Sequence, residues 1–213
     1  MDQQPTVGAT GPPGLIYIIR HGEKPADPPI VEPGQPPPAP VAPFGVDDQG
    51  IQNPHSLLPR GWQRSGALAA LFDPAAGIPQ AGLQAPTVLL SPSYGDPSKT
   101  TVHRTYQTIQ GLSDRLGLEI ASPFAENYEP ELAASVVSSY SGVVLICWEH
   151  HRIPALASSL PTIPETVIPT WPGDRFDVIW TFTLAPQAPS IQYTFGQVPQ
   201  QLLSGDADTV IPA

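Results

Sequence analysis

The chain has 213 residues, enough for one domain with a proper core. Charged residues make up only 13 %, and nineteen acids against nine bases leave a net charge of −10. Such a field repels polyphosphate backbones, and no cluster of Lys and Arg interrupts it, so nucleic-acid binding is excluded as an expectation. A small anionic ligand fits only if a few of the seven arginines converge on it. The single cysteine, Cys147, allows no internal disulfide. Residues 1–14 show neither a basic n-region nor an apolar h-region, and no apolar run approaches the roughly 20 residues of a membrane span. The expected protein is therefore soluble and cytoplasmic, with no membrane partner.

Thirty prolines and eighteen glycines fill the place of the missing charges. The prolines bunch between Pro25 and Pro43 and thin out where strands are expected, which fits one globular domain over 1–213 carrying a Pro-rich loop at about 25–54. In chain order, Leu15-Ile16-Tyr17-Ile18-Ile19 is a short β-branched and aromatic run, expected as a strand buried on both faces. It stops abruptly at Arg20-His21-Gly22-Glu23. Residues 57–72 read as a helix, 87–90 as a second buried strand ending in Ser91-Pro92-Ser93, and 99–116 as a second helix with Arg104 in its early turns. A third helix is expected over 129–139, a strand over 142–148 ending in Glu149-His150-His151, and a short helix over 154–160. The tail holds two further strand-like runs, 176–184 and 191–195. Repeated strand–loop–helix units predict an α/β fold with a mostly parallel sheet.

Polar clusters at strand ends are where ligand sites form in open α/β sheets. A phosphoryl-transfer site needs a nucleophile, fixed positive groups for the equatorial oxygens, and an acid for the leaving oxygen. Neutral imidazole is a competent nucleophile near neutral pH, and the planar guanidinium binds phosphate oxygens two at a time without losing its charge. Arg20 and His21 follow the first strand, Arg104 the second, and His150 the strand over 142–148. Strand ends of this kind can converge on one rim of a sheet.

Ile-Ile-Arg-His-Gly-Glu at 18–23 resembles the signature of the histidine phosphatase superfamily, also called phosphoglycerate mutase-like. Residues 57–68, LLPRGWQRSGAL, resemble that family's "L-[ST]-x-x-G-x-x-[RQ]-A-x-x-L" helix. Ser91-Pro92 followed by Arg104-Thr105-Tyr106-Gln107-Thr108 resembles its "SP…R-A-x-Q-T" element, with a longer loop between the halves. Residues 144–150, VLICWEH, with Ile153-Pro154 after them, are similar to the "W-E-H-x-x-I-P" version of the second histidine. The resemblance runs over about 15–160 in the family's order. It implies a three-layer α/β sandwich, a mixed and mostly parallel sheet flanked by helices.

Carried over to these positions, the resemblance implies that His21 is the phosphorylated nucleophile. Arg20, Arg104 and His150 would form the phosphate pocket, with no metal and no cofactor required, and the partner would be a small phosphorylated substrate. The chain departs from the family at the proton donor. The acid-phosphatase branch has His-Asp at the second histidine, where this chain has His150-His151. The mutase branch uses a glutamate between the second arginine and the second histidine, for which Glu126 is the candidate, yet the Asn-rich stretch that mutases show after the first histidine is absent. Glu23 and Glu149 remain the other candidates. Phosphatase, mutase and catalytically weak phospho-ligand binder all stay open, as does the oligomeric state.

Simpler roles compete for several of these side chains. Arg104 could be a solvated helix arginine paired with Asp114 or a backbone group. Glu23 reads as a loop carboxylate orienting the phosphate arginines, and Glu149 as a carboxylate holding an arginine. His103 reads as a helix-surface residue, His55 as solvent-exposed, Trp148 as core or pocket wall, and Cys147 as an inert buried thiol. The five histidines show no metal-ligand spacing.

Overall fold

The β-branched run LIYIIR closes all six of its side chains away from solvent and forms strand β1, Leu15–Arg20, near the middle of a sheet. A computed structural model describes residues 11–26, 34, 42–75, 82–94, 103–186 and 189–213. In chain order the other elements are α1 (Pro59–Phe72), β2 (Val88–Leu90), α2 (Arg104–Leu116), β3 (Ile120–Ala121), α3 (Glu129–Ser139), β4 (Val143–Trp148), α4 (Ile153–Ser159), β5 (Val178–Leu184) and β6 (Tyr193–Pro199). Six strands form one sheet in the order β3-β2-β4-β1-β5-β6. The pairs β2–β3, β2–β4 and β1–β4 are parallel, and β1–β5 and β5–β6 are antiparallel.

Strand alternation divides the core into two. Ile16, Ile18, Val144 and Ile146 face α3 and α4, packing with Leu132, Val136, Ile153 and Leu156. Tyr17, Ile19, Leu145 and Cys147 face the opposite way, onto Leu68, Phe72, Ile109 and Leu112 of α1 and α2. Helices therefore cover both faces of a mixed sheet, as the sequence predicts. Local signals set the helix ends. Pro at the first positions of α1, α3 and α4 pre-sets φ where no donor is needed, and Gly117 stops α2 in the left-handed conformation at φ 65°.

Several expectations change in detail. The helix expected from 99 begins at Arg104, and residues 99–102 lie outside the described residues, as do 27–33 and 35–41 of the Pro-rich loop. The helix expected from 57 starts at Pro59, where the ring fixes its first turn. The tail strands begin later than expected, at Val178 and Tyr193, and β6 runs on to Pro199. The two-residue β3 has no sequence signal of its own. It exists because Leu89 and Leu90 offer a free parallel edge for Ile120 and Ala121.

The register fixes where the chemistry meets. Arg20 lies opposite Trp148, and Leu90 opposite Ile146 and Ala121. The carboxyl ends of all four parallel strands thus open on one rim, and β5, running the other way, brings the loop before it to the same rim.

Candidate active site

A cavity of about 260 Å³ opens at that rim, lined by His21, Lys24, Tyr94, Arg104, Thr105, Glu126, Glu149, His150 and His151. Each lining segment follows a strand end: β1 delivers His21 and Lys24, β2 leads to Tyr94, β3 to Glu126, and β4 to Glu149, His150 and His151. Arg104 and Thr105 come from the first turn of α2.

His21 is buried, at 4 % exposure. Its Nδ1 lies 2.8 Å from the carbonyl oxygen of Gly22. A carbonyl only accepts, so Nδ1 carries the proton and Nε2 holds the lone pair. Burial first, with the charges of Arg20, Arg104 and His150, brings the pKa of His21 down to about 3, against the Gly22 carbonyl, which raises it. The ring is therefore neutral throughout the ordinary pH range.

The loop bearing His21 is clamped from two sides. Gly22 N donates to Thr108 Oγ1 at 2.7 Å, and that hydroxyl donates to the Arg104 carbonyl at 2.7 Å, which couples the loop to the first turn of α2. On the other side α1 presses in closely: a Cβ on Gly61 would stand 2.5 Å from the Glu23 carbonyl oxygen, so only glycine fits there. Leu58 N donates to the same carbonyl at 2.9 Å.

Arg20 is also buried, at 1 % exposure. Its Nη1 donates to the carbonyls of Pro172 (3.3 Å), Gly173 (2.7 Å) and Arg175 (3.0 Å), and its guanidinium carbon lies 3.8 Å from the centre of the Phe176 ring. The Phe176 ring also lies 6.1 Å from that of His21. Arg20 acts on both His21 and His150 electrostatically. Arg104 Nη2 donates to the Pro54 carbonyl at 2.8 Å, a backbone partner as the simpler reading of this residue foresees, while the residue also lines the cavity.

The His150 ring sits 6.2 Å from the His21 ring, edge to face. Its Nδ1 lies 2.6 Å from Glu149 Oε1. Burial and Arg20 lower the His150 pKa, and Glu149 opposes them. Glu126 is half-buried, and its pKa is raised by burial first and then by Glu149 and Glu129. A buried carboxylate, Glu129, fixes the loop that carries Glu126: its Oε1 accepts from Trp148 Nε1 at 3.0 Å and from Asn127 N at 3.1 Å.

No family model matches the chain, and no curated protein matches it in sequence. Among solved structures it is similar to a mycobacterial glucosyl-3-phosphoglycerate phosphatase complexed with VO3. That likeness has 13 % identity and a TM-score of 0.47, and covers 85 % of this chain and 96 % of the other.

Of the residues singled out in the sequence, His21, Arg104, His150 and Glu126 share the cavity, and Arg20, outside its lining, acts on both imidazoles by its charge. Two carboxylates have other partners than expected. Glu23 binds Arg60 (3.0 Å) and the buried Arg64 (2.8 Å), which also holds Asp206 at 2.7 Å, so it does not orient the arginines beside His21 and His150. Two basic side chains one helical turn apart on α1 capture it first. Among the described residues Glu149 pairs with no arginine: it touches the His150 ring and accepts from His151 N at 2.7 Å, because the turn after β4 folds its side chain back over its own segment. His55 is exposed, and Trp148 and Cys147 are buried. His103 is the residue before α2 and packs against Tyr94 rather than standing on a helix face.

Tyr94, Thr108 and Phe176 were not foreseen. Tyr94 lines the cavity, with its hydroxyl hydrogen-bonded to Thr105. Thr108 was legible as part of a motif but not as the partner of Gly22. Phe176 had no signal, because only the antiparallel return of β5 brings it to the rim.

His21, Glu149 and His150 also bring ligand-type atoms within 4.8 Å of one another, a spacing that could hold a metal ion. Arg20 acts on both imidazoles and Arg104 on His21, positive charge that favours an anion beside these rings.

Proposed function

We propose that the protein is a phosphomonoester hydrolase that works through a phosphohistidine at His21. The observation that carries this reading is the state of that imidazole: buried, neutral, Nδ1–H held by the Gly22 carbonyl, Nε2 left with its lone pair, beside two arginines and a second histidine.

In the first half-reaction Nε2 of His21 forms a bond to phosphorus while the phosphorus–oxygen ester bond breaks. The electron pair leaves with the alcohol oxygen, which takes a proton from the Glu126 carboxyl. Arg104, Arg20 and His150 stabilise charge on the equatorial oxygens during the transfer. In the second half-reaction the Glu126 carboxylate takes a proton from water as its oxygen attacks phosphorus. The nitrogen–phosphorus bond then breaks, releasing inorganic phosphate and restoring His21.

Among the three candidate carboxylates, Glu126 is favoured as proton donor. It lines the cavity, and its raised pKa keeps it protonated to higher pH than an ordinary glutamate. Glu23 is engaged by Arg60 and Arg64, and Glu149 by His150 and His151. Replacing His21 by Ala should abolish hydrolysis of p-nitrophenyl phosphate. An active His21→Ala enzyme rules the mechanism out.

A further inference from the structure

Glu126 sits on the loop between β3 and α3, and that loop is pinned on both sides of it. Before Glu126, the Phe124 carbonyl accepts from Ser93 N at 2.7 Å, which ties the loop to the segment after β2. After Glu126, the buried Glu129 opens α3, and its Oε1 accepts from Trp148 Nε1 at 3.0 Å, which ties the loop to β4. The same oxygen accepts from Asn127 N at 3.1 Å. Between Phe124 and Glu129, the short run from Ala125 to Tyr128 decides where the Glu126 carboxyl points.

One residue of that run has a backbone conformation that few side chains tolerate. Asn127 has φ 76°, in the left-handed region. Contact between Cβ and the following carbonyl disfavours this region for L residues; Asn enters it more readily than most, and a β-branched residue there is an outlier. Because Asn127 directly follows Glu126, this φ sets the angle between the peptide that carries Glu126 and the anchored start of α3. The Asn127 side chain is held as well: its Oδ1 accepts from Nη2 of Arg152, the residue before α4. Burial, Glu149 and Glu129 raise the Glu126 pKa and Arg152 opposes them, so the arginine that holds Asn127 lies within electrostatic reach of the Glu126 carboxyl. Residues kept in sparsely populated conformations cluster at functional sites, where the surrounding structure over-determines them. Here the neighbour of such a residue lines the His21 cavity.

We propose that Asn127 is a positioning residue for the proton donor: its left-handed backbone conformation turns the Glu126 carboxyl into the cavity, toward the oxygen that leaves as His21 takes the phosphoryl group. The inference rests on the phosphatase reading, with Glu126 as its acid, and adds the residue through which that acid is aimed.

The test reads leaving groups on the full chain, as the ratio of kcat/KM for ethyl phosphate to kcat/KM for p-nitrophenyl phosphate. Both substrates meet the same nucleophile, but ethoxide needs a proton to leave far more than p-nitrophenolate does. The ratio cancels the fraction of folded enzyme, so loss of stability alone does not move it. Asn127→Val should lower the ratio by about tenfold or more, toward that of Glu126→Gln, because the branched side chain drives the backbone out of the left-handed region. Asn127→Gly keeps that conformation accessible while removing the amide, and should stay within about threefold of the unaltered protein. Should Asn127→Val fail to fold, Asn127→Ala applies the same strain more gently and should lower the ratio in the same direction. If Glu126→Gln lowers the ratio and the Val and Ala variants do not, or if Gly lowers it as far as Val, Asn127 does not aim the donor, and the phosphatase reading stands. If Glu126→Gln leaves the ratio unchanged while both substrates are hydrolysed, Glu126 is not the donor, and the inference falls with that assignment but not with His21. If the unaltered protein hydrolyses neither substrate, both fall together.

Discussion

β1 and β4 lie side by side in parallel, in register from Leu15 opposite Val143 to Arg20 opposite Trp148, and each ends in a histidine at the same rim. The two imidazoles sit 6.2 Å apart, yet their Nδ1 atoms face different partners. His21 meets the carbonyl of Gly22, which fixes a neutral tautomer; His150 meets the carboxylate of Glu149, which opposes the lowering of its pKa by burial and Arg20. One strand end is therefore suited to attack phosphorus, and the other to respond to charge that develops on its oxygens. Topology places the rings. The atom next to Nδ1 assigns the chemistry.

Three substitutions sharpen or break that contrast, in descending order of effect. His150→Ala should lower kcat by ~10²–10³ with a smaller change in KM, the range seen when one oxyanion donor is lost. A loss equal to that of His21→Ala would mean that the two histidines are not divided into nucleophile and stabiliser.

Glu126→Gln should divide substrates by leaving group. Alkyl phosphates, which need a proton, should lose ~10²-fold or more in kcat, and p-nitrophenyl phosphate much less. The pH dependence has a definite sign. Glu126 must be protonated to act, and its pKa is raised, so kcat for alkyl phosphates should fall as pH rises through that raised value. The Gln variant should lack this alkaline limb. His21, pushed down to about 3, should contribute no acid limb near the ordinary histidine pKa of about 6.5. An acid limb of kcat/KM near neutrality that disappears in no other variant would contradict the assigned state of His21.

Phe176→Leu keeps apolar volume under Arg20 but removes the aromatic face. It should weaken phosphate binding, measured by calorimetry, by about fivefold, in line with ~1 kcal/mol for a cation–π contact. Tyr at 176 should restore binding. An unchanged affinity in the Leu variant would contradict a supporting role for the Phe176 ring.

The sequence spoke most clearly where one segment did the work alone. The β1 and β4 runs are so apolar, and end so sharply in Arg20-His21 and Glu149-His150, that strand, burial and site could be read together. The start of α3 at Glu129 and the end of α2 at Leu116 fall where the sequence places them, whereas α1 begins two residues later than expected, at Pro59. What stayed hidden depends on partners far apart in the chain. Glu23 could be read as a carboxylate near arginines, but which arginines depended on α1 packing against Gly22 and on the tail bringing Asp206 to Arg64. Phe176 and β3 likewise acquire their roles only from the strand order, through the reversal of β5 and the free edge of β2. Glu126 was nameable from its place between Arg104 and His150. Its environment was not, because Glu129, Trp148 and Asn127 shape it together.

The most direct test of the central assignment is to trap the covalent intermediate. Enzyme quenched during turnover of a phosphorus-labelled monoester should retain label that is stable to alkali and lost in acid, mapping to the peptide containing His21, and His21→Ala should retain none. Hydrolysis without such label under rapid quench, or label that persists in His21→Ala, would contradict the account.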